Sequence, residues 1–226
     1  MEEIPDLVGT LFCAALCLFP LLLFGLSYYI FRRRISKLEG QAGGMGFSFS
    51  ERGTEEELAT LSHFDLFNQG RSRKIRNLMR GEKEGVGVWL FDYRYKPPVS
   101  GSQRVWVQTV FRAETGRLDL PEFQVRPRNL LDHLGVEAEQ EISLDGADDF
   151  SKRYVVEGMD EAEIRHLLTP DVRAYFRQHQ GLSAAGAGQQ LVVYRIRDQK
   201  TAGQIEAFLQ DGMELVGLLA GRSRVV

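Results

Sequence analysis

The longest charge-free stretch of the chain places the strongest constraint on its fold. It runs from Leu7 to Phe31 and reads LVGTLFCAALCLFPLLLFGLSYYIF. A helix of that length, at about 1.5 Å per residue, exceeds the ~30 Å hydrocarbon core of a bilayer. No Lys or Arg precedes the stretch, whereas Arg32, Arg33 and Arg34 follow it directly. The pattern therefore predicts a transmembrane helix over residues 7–31.

The charges on either side of this stretch predict its orientation. Lys and Arg are retained on the cytoplasmic side of a membrane span, so we expect residues 1–6 outside the cell and the C-terminal part in the cytoplasm. The expected location is the cell inner (plasma) membrane. A cleaved signal peptide is the main alternative, but it requires a basic N-terminal region, and Glu2, Glu3 and Asp6 make this one acidic. A lipoprotein site is disfavoured because neither cysteine follows a small residue.

The charge balance after the apolar stretch bounds the kind of domain that follows. All 28 Lys and Arg lie beyond residue 31, and three of the 31 acidic residues precede the stretch, so the remainder of the chain is neutral overall. A nucleic-acid-binding domain normally carries a basic excess, which argues against nucleic acid as a partner. Residues 54–226 are enough for one domain with a core. They contain no cysteine, and therefore neither a disulfide nor a thiol nucleophile.

Residues 32–53 are predicted to connect the span to this domain. Arg32, Arg33, Arg34 and Lys37 continue the helix with four cations, which favour an anionic lipid surface. The Gly-rich segment that follows, GQAGGMGFSFSERG, is typical of a flexible linker. It is not a phosphate-binding loop, because no Gly-Lys-Ser/Thr sequence follows it.

Alternating side chains predict an antiparallel sheet over residues 71–112. The segment 86–95, VGVWLFDYRY, is rich in aromatic and β-branched residues, which favour strands. Residues 105–112 are predicted to return as the next strand. In segment 86–95 the alternation places Trp89, Phe91, Tyr93 and Tyr95 on one face, and Val86, Val88, Leu90, Asp92 and Arg94 on the other.

Helix-capping sequences divide the rest of the chain. Thr54 with Glu57, and Thr201 with Gln204, form two capping boxes. The fold class predicted from the order of elements is α+β, with one antiparallel-sheet-rich domain over residues 54–226 and helices mainly toward the C-terminus. The other predicted elements are strands at 118–126, 142–144, 150–157 and 191–196, helices at 129–134 and 160–168, a helix opened by Thr169 and Pro170, and a small-residue loop at 181–188.

Several segments of the domain together resemble a known group of proteins. They are FDLFNQGRSRKIRNLMRGEKEGVGVWLFDYRY, QTVF, LPEFQVRP, DDFSKRYVVEG, EAEIRHLLTPDVRAYF and LVVYR, within residues 60–220. These segments are similar to a family of uncharacterised bacterial single-pass membrane proteins with a cytoplasmic α+β domain of unknown function. The resemblance implies a membrane-tethered domain and no established activity, so it assigns no functional residue.

The sequence lacks the motifs of common enzyme and metal-binding classes. Its four histidines, His63, His133, His166 and His179, form neither an HExxH motif nor a pair spaced for zinc. A nucleophile elbow and the nucleotide-binding fingerprints are also absent. We therefore predict no catalytic residue, no metal site and no cofactor.

A cluster of aspartates and one single aspartate are candidates for chemistry. Asp145, Asp148 and Asp149 carry the oxygen ligands that Ca²⁺ prefers, but their spacing is not that of an EF-hand. A turn held by side-chain hydrogen bonds is the favoured interpretation. Asp92, which lies among aromatic residues, is either a buried functional acid or, as we favour, the salt-bridge partner of Arg94 or of a neighbouring strand.

The basic run RSRKIRNLMR is the most unusual surface feature of the predicted domain. It carries five cations on a domain that is otherwise balanced in charge, and such a cluster attracts anionic lipid. Pairing of these cations with acidic neighbours such as Glu82 or Glu84 is the alternative. The predicted contacts with anionic lipid are Arg32, Arg33, Arg34, Lys37, Arg71, Arg73, Lys74, Arg76 and Arg80.

Three functions are compatible with these predictions. The favoured one is a membrane-tethered interaction or scaffold module with a protein partner in or at the same membrane. The alternative is a small-ligand or lipid-binding domain that uses a cavity between the sheet and the late helices. An enzyme whose site is assembled only in three dimensions, with Asp92 or a histidine, is the third hypothesis.

Overall fold

The computed structural model of the chain describes residues 4–97, 104–128, 141, 142, 144 and 149–221. In this part of the chain, eight strands form one antiparallel sheet with the spatial order β1-β2-β3-β4-β8-β7-β5-β6. The hairpin β7–β8 therefore joins the meander β1–β4 to the pair β5–β6. The strands are β1 (Ser48–Arg52), β2 (Arg71–Lys83), β3 (Val86–Lys96), β4 (Trp106–Glu114), β5 (Leu120–Pro127), β6 (Tyr154–Gly158), β7 (Ser183–Gly188) and β8 (Gln190–Tyr194).

Helices cover both faces of the sheet. The two long ones, at the two ends of the described chain, lie on the same face, and two short helices lie on the other. The described helices are α1 (Ile4–Gly44), α2 (Glu55–Ala59), α3 (Asp65–Asn68), α4 (Asp149–Arg153), α5 (Glu161–Leu167), α6 (Pro170–Gln178) and α7 (Ala202–Ala220).

Strand β3 separates two hydrophobic cores, as its alternation predicts. Val88 and Leu90 belong to the larger core, which includes side chains of α1 and α7. Phe91 and Tyr93 belong to the smaller core, which is closed by the segment of α2 and α3. The alternation predicted for residues 86–95 is therefore confirmed. Arg94, near the end of the strand, is exposed.

Three predicted helix starts are confirmed by their capping hydrogen bonds. Thr54 and Glu57 form the capping box of α2, and the Thr169 side chain accepts from the Val172 N–H at the start of α6. At the start of α7, the Gln204 side chain accepts from the Thr201 N–H at 3.0 Å. The apolar residues of this last helix are buried, at Ile205, Phe208, Leu209, Val216 and Leu219.

The structure overturns the predicted membrane topology. Among the residues that the structure describes, no helix is both long and apolar enough to cross a membrane. Residues 4–44 instead form one helix, α1, whose C-terminal part buries Leu38 and Ala42 in the larger core. The predicted transmembrane helix over residues 7–31 is therefore wrong, as are the single-pass topology and the inner-membrane location derived from it. The fold class is wrong as well, because the described part of the chain is β-rich, with an eight-stranded sheet, and its longest helix is α1 rather than a helix toward the C-terminus.

Three local predictions also differ from the structure. Residues 40–44 end α1 and residues 48–52 form β1, so the segment predicted as a flexible linker is regular structure. Residues 183–188 form β7 rather than a loop, and residues 149–153 form α4 ahead of β6 rather than part of a strand. The helix predicted at 129–134 lies outside the described residues.

Helix α7 approaches the sheet closely at one glycine. A Cβ added to Gly212 would lie 2.6 Å from ring atoms of Phe111 on β4. No real side chain tolerates that distance without displacement, so the helix requires glycine where it crosses β4.

We expect the substitution Gly212→Ala to lower the free energy of unfolding by about 1–2 kcal/mol, because overpacking outweighs the better helix propensity of alanine. The measurement is urea denaturation. Gly217→Ala in the same helix is the matched control, since its added Cβ has no atom within 4 Å, and it should stabilise by up to about 1 kcal/mol. An unchanged stability of the Gly212→Ala protein would contradict the close contact.

Candidate functional site

A buried carboxylate joins α1, three strands and the segment that precedes α7. Asp92 on β3 is only 3% exposed. Its Oδ2 accepts from Arg34 Nη1 at 2.8 Å, from Asn77 Nδ2 at 2.8 Å and from Gln199 Nε2 at 2.9 Å. Its Oδ1 accepts from the Thr109 hydroxyl at 2.9 Å. Four donors therefore compensate the cost of burying this charge.

Local backbone geometry brings these donors together. Thr109 on β4 is the cross-strand partner of Asp92, so both side chains lie on the same face of the sheet. Asn77 has a left-handed φ of 48° at an irregularity in the pairing of β2 with β3. Such bulges redirect side chains, and here the bulge directs the Asn77 amide toward Asp92.

The same cluster positions α1 against the start of α7. Arg34 donates through Nη2 to the Lys200 carbonyl at 2.9 Å, and the Lys200 N–H donates to Thr109 Oγ1 at 2.8 Å. About two helical turns farther along α1, Gln41 donates to the Ala202 carbonyl at 3.2 Å. These bonds hold the first turn of α7 beside α1.

A groove of about 420 Å³ lies between α1 and the first turn of α7. We call it the α1–α7 groove. Tyr29 and Ile30 supply apolar surface and are more than half exposed, and Arg33 and Lys37 are exposed cations one helical turn apart. The groove is lined by Tyr29, Ile30, Arg33, Arg34, Lys37, Thr201, Ala202 and Gly203.

Only some of the cations predicted to contact lipid are available on the surface. Arg34 is committed to Asp92, and Arg32 pairs with Glu51 at 2.9 Å. Within the described part of the chain, the side chains of Arg33 and Lys37 form no ion pair or hydrogen bond, and both line the groove.

The cations of the basic run on β2 are placed differently. Arg71 and Lys74 are exposed, and Arg76 is half-buried. Arg73 donates to the Phe67 carbonyl at 2.7 Å. Arg80 pairs with Glu57 and lies over the Trp89 ring, 5.2 Å from its centroid. The β2 run is therefore partly structural, with Glu57 in place of the acidic neighbours expected from the sequence.

The other candidate groups are dispersed. The His63 ring contacts Phe64 at a tilt, His179 stacks on Tyr175, and His166 is exposed on α5. His133 and the aspartates at 145 and 148 lie outside the described residues, and Asp149 pairs with Arg153. In the described ranges no group of three or more His, Cys, Asp or Glu side chains is placed to hold a metal.

The tyrosines of the smaller core are poor candidates for acid–base chemistry. Burial raises the pKa of Tyr93 and of Tyr194, and it also raises the pKa of Tyr95. Their hydroxyls therefore stay protonated at neutral pH, and they lie in the core on the side of the sheet opposite Asp92.

The sequence contains part of the signal for the groove. Tyr29, Ile30, Arg33 and Lys37 recur at helical spacing, and a capping box marks the start of α7. Only the folded chain shows that these two segments adjoin. Asp92 was correctly predicted to form a salt bridge, but its partner is Arg34 on α1 rather than Arg94 or a residue of a neighbouring strand.

Comparisons with known proteins establish the fold. Neither a protein-family model nor a curated protein matches the chain, so the resemblance to a bacterial family stays a prediction. Among solved structures, the chain is similar to the mycobacterial trehalose monomycolate transport factor A, TtfA. The two share 13% sequence identity with a TM-score of 0.57, over 86% of this chain and 97% of TtfA. At that identity the likeness shows a common fold.

We expect Asp92→Asn to lower the free energy of unfolding by about 2–3 kcal/mol, because the amide leaves Arg34 without its anion and places an N–H group among donors. Chemical denaturation measures the effect. Glu51→Gln is the matched control, because it removes the exposed partner of Arg32 on the same helix and should cost less than about 1 kcal/mol. Equal costs for the two substitutions would contradict a structural role for the buried pair.

Proposed function

We propose that the protein binds an anionic amphiphile in the α1–α7 groove, in a lipid-binding or transport-associated role. The observation that carries this proposal is the pairing of apolar lining with two available cations in one groove. Arg33 and Lys37 would contact the anionic head, and Tyr29, Ile30 and Ala202 would contact the apolar part of the ligand. The buried Asp92 cluster gives the groove a fixed wall.

The contributions to the free energy of binding favour a ligand that has both an anionic group and an apolar tail. Each buried methylene contributes about 0.8 kcal/mol, and an exposed cation at contact distance contributes about 1 kcal/mol. Additional apolar surface continues along α1, where Leu26 and Phe24 are well exposed. An acyl chain leaving the groove would therefore stay in contact with apolar side chains.

The structural neighbour supports a transport-associated role. TtfA is named as a trehalose monomycolate transport factor, and the fold that it shares with this chain supports the same kind of role here. The class of ligand comes from the groove, which favours one anionic group and an apolar tail.

A protein partner is a second proposal, favoured by a different observation. Phe19, Leu22 and Phe24 on α1 are exposed, and contiguous exposed apolar surface marks interaction sites. A photoreactive residue at position 24 of the full chain should yield crosslinked adducts with a second protein in cells. Adducts with copies of the same chain alone would contradict this proposal.

The lipid proposal is tested with an environment-sensitive fluorescent fatty acid and its neutral methyl ester. We expect the double substitution Arg33→Gln and Lys37→Gln to weaken binding of the acid roughly 30-fold, since two contacts of about 1 kcal/mol each are lost. Binding of the ester should change less than about twofold, because the ester carries no charge.

The matched control is Arg71→Gln with Lys74→Gln, which removes two exposed cations from β2 and should leave both affinities unchanged. Ile30→Gln should weaken binding of the acid and of the ester alike, because it removes apolar surface from the groove. Wild-type affinity of the Arg33→Gln, Lys37→Gln protein for the acid would overturn the proposed site.

A further inference from the structure

A second groove lies farther along the contact between α1 and α7, and its charge is opposite. Its volume is about 470 Å³. The end of α1 and the segment between α1 and β1 form one side, the β2–β3 turn forms the end, and the middle of α7 forms the other side. We call it the acidic groove. It is lined by Gly44, Met45, Phe47, Lys83, Glu84, Glu206, Leu209, Gln210, Met213 and Glu214.

The floor of the acidic groove is apolar and combines rigid with adaptable side chains. Phe47 is buried, and its ring occupies the space where a Cβ on Gly81 would lie, at 2.1 Å. Leu209 is buried as well, whereas Met45 and Met213 are half-buried and pack against the core. Methionine is flexible and polarizable, and it is common on surfaces that accept varied apolar side chains.

The rim of the acidic groove carries three carboxylates and one amine. Glu84, Glu206 and Glu214 are exposed, as is Lys83. In the described part of the chain, none of these three carboxylates forms an ion pair or a side-chain hydrogen bond. Glu206 and Glu214 lie eight residues apart on α7, a distance of about 12 Å along the helix axis. This spacing matches two basic side chains about two turns apart on a helical partner.

We infer that the acidic groove docks a basic amphipathic helix of a protein partner. An apolar side chain of the partner enters between Met45 and Met213, and Lys or Arg residues flanking it pair with Glu206 and Glu214. The complementary charge decides against an anionic amphiphile here, because the three carboxylates would repel its head. The two grooves thus select ligands of opposite charge, and this second site is independent of the first.

The test uses the full chain and two fluorescein-labelled synthetic peptides of about 18 residues, long enough to form a helix on binding. One peptide has Leu on one face and Lys along its borders, and the other has Glu in place of each Lys. We expect fluorescence anisotropy to show binding of the Lys peptide and no binding of the Glu peptide. The double substitution Glu206→Lys and Glu214→Lys should weaken binding of the Lys peptide at least about tenfold, since each attractive pair becomes a repulsive one.

A matched charge reversal separates docking from general attraction. Glu82→Lys with Glu163→Lys changes the net charge of the chain equally, but neither residue lines the acidic groove, so binding should stay within about twofold of wild type. Met213→Gln should weaken binding without changing the net charge. Equal loss in the two charge-reversed proteins, or equal affinity of wild type for the Lys and Glu peptides, would overturn the inference.

Discussion

The buried ion pair between Asp92 and Arg34 is the interaction on which the arrangement of this fold depends. A carboxylate that is 3% exposed is costly unless donors surround it. Here the donors come from α1, from β2 and β4, and from the segment that precedes α7. The hydrogen bonds to this one carboxylate therefore fix the position of both long helices on the sheet. Apolar packing alone would position the helices with less directional specificity.

The position of α7 follows from this constraint and from a single glycine. Arg34 and Gln41 hold the first turn of the helix beside α1, and Gly212 allows its middle to lie against Phe111. The contact between α1 and α7 leaves a groove at either end. One is lined by arginine and lysine from α1, and the other by glutamates mainly from α7. Two helices held by one buried charge thus produce two surfaces of opposite sign.

Local patterns in the sequence correctly predicted the elements that depend on residues close together in the chain. The alternation in β3 and the capping boxes of α2 and α7 are determined by residues within a few positions of each other. The glycine-rich end of α1 was predicted as a linker because glycine disfavours helix, whereas burial of Leu38 and Ala42 stabilises these turns. Strand β7 was missed for a related reason. Its small residues suggest a loop, but Gly186 is small because Leu120 and Phe123 lie within 2.7 Å of an added Cβ.

The candidate site was the hardest feature to predict, because its parts are distant in sequence. Arg34 and Asp92 are 58 positions apart, and Arg34 lies 166 positions from Lys200. The sequence shows a cluster of cations after the apolar stretch. No local pattern separates Arg34, which pairs with Asp92 in the fold, from Arg33 and Lys37, which line the groove. Because Arg34 secures α1 through a charge it shares with the sheet, its two neighbours are held at the rim of a groove with their charges still available to a ligand.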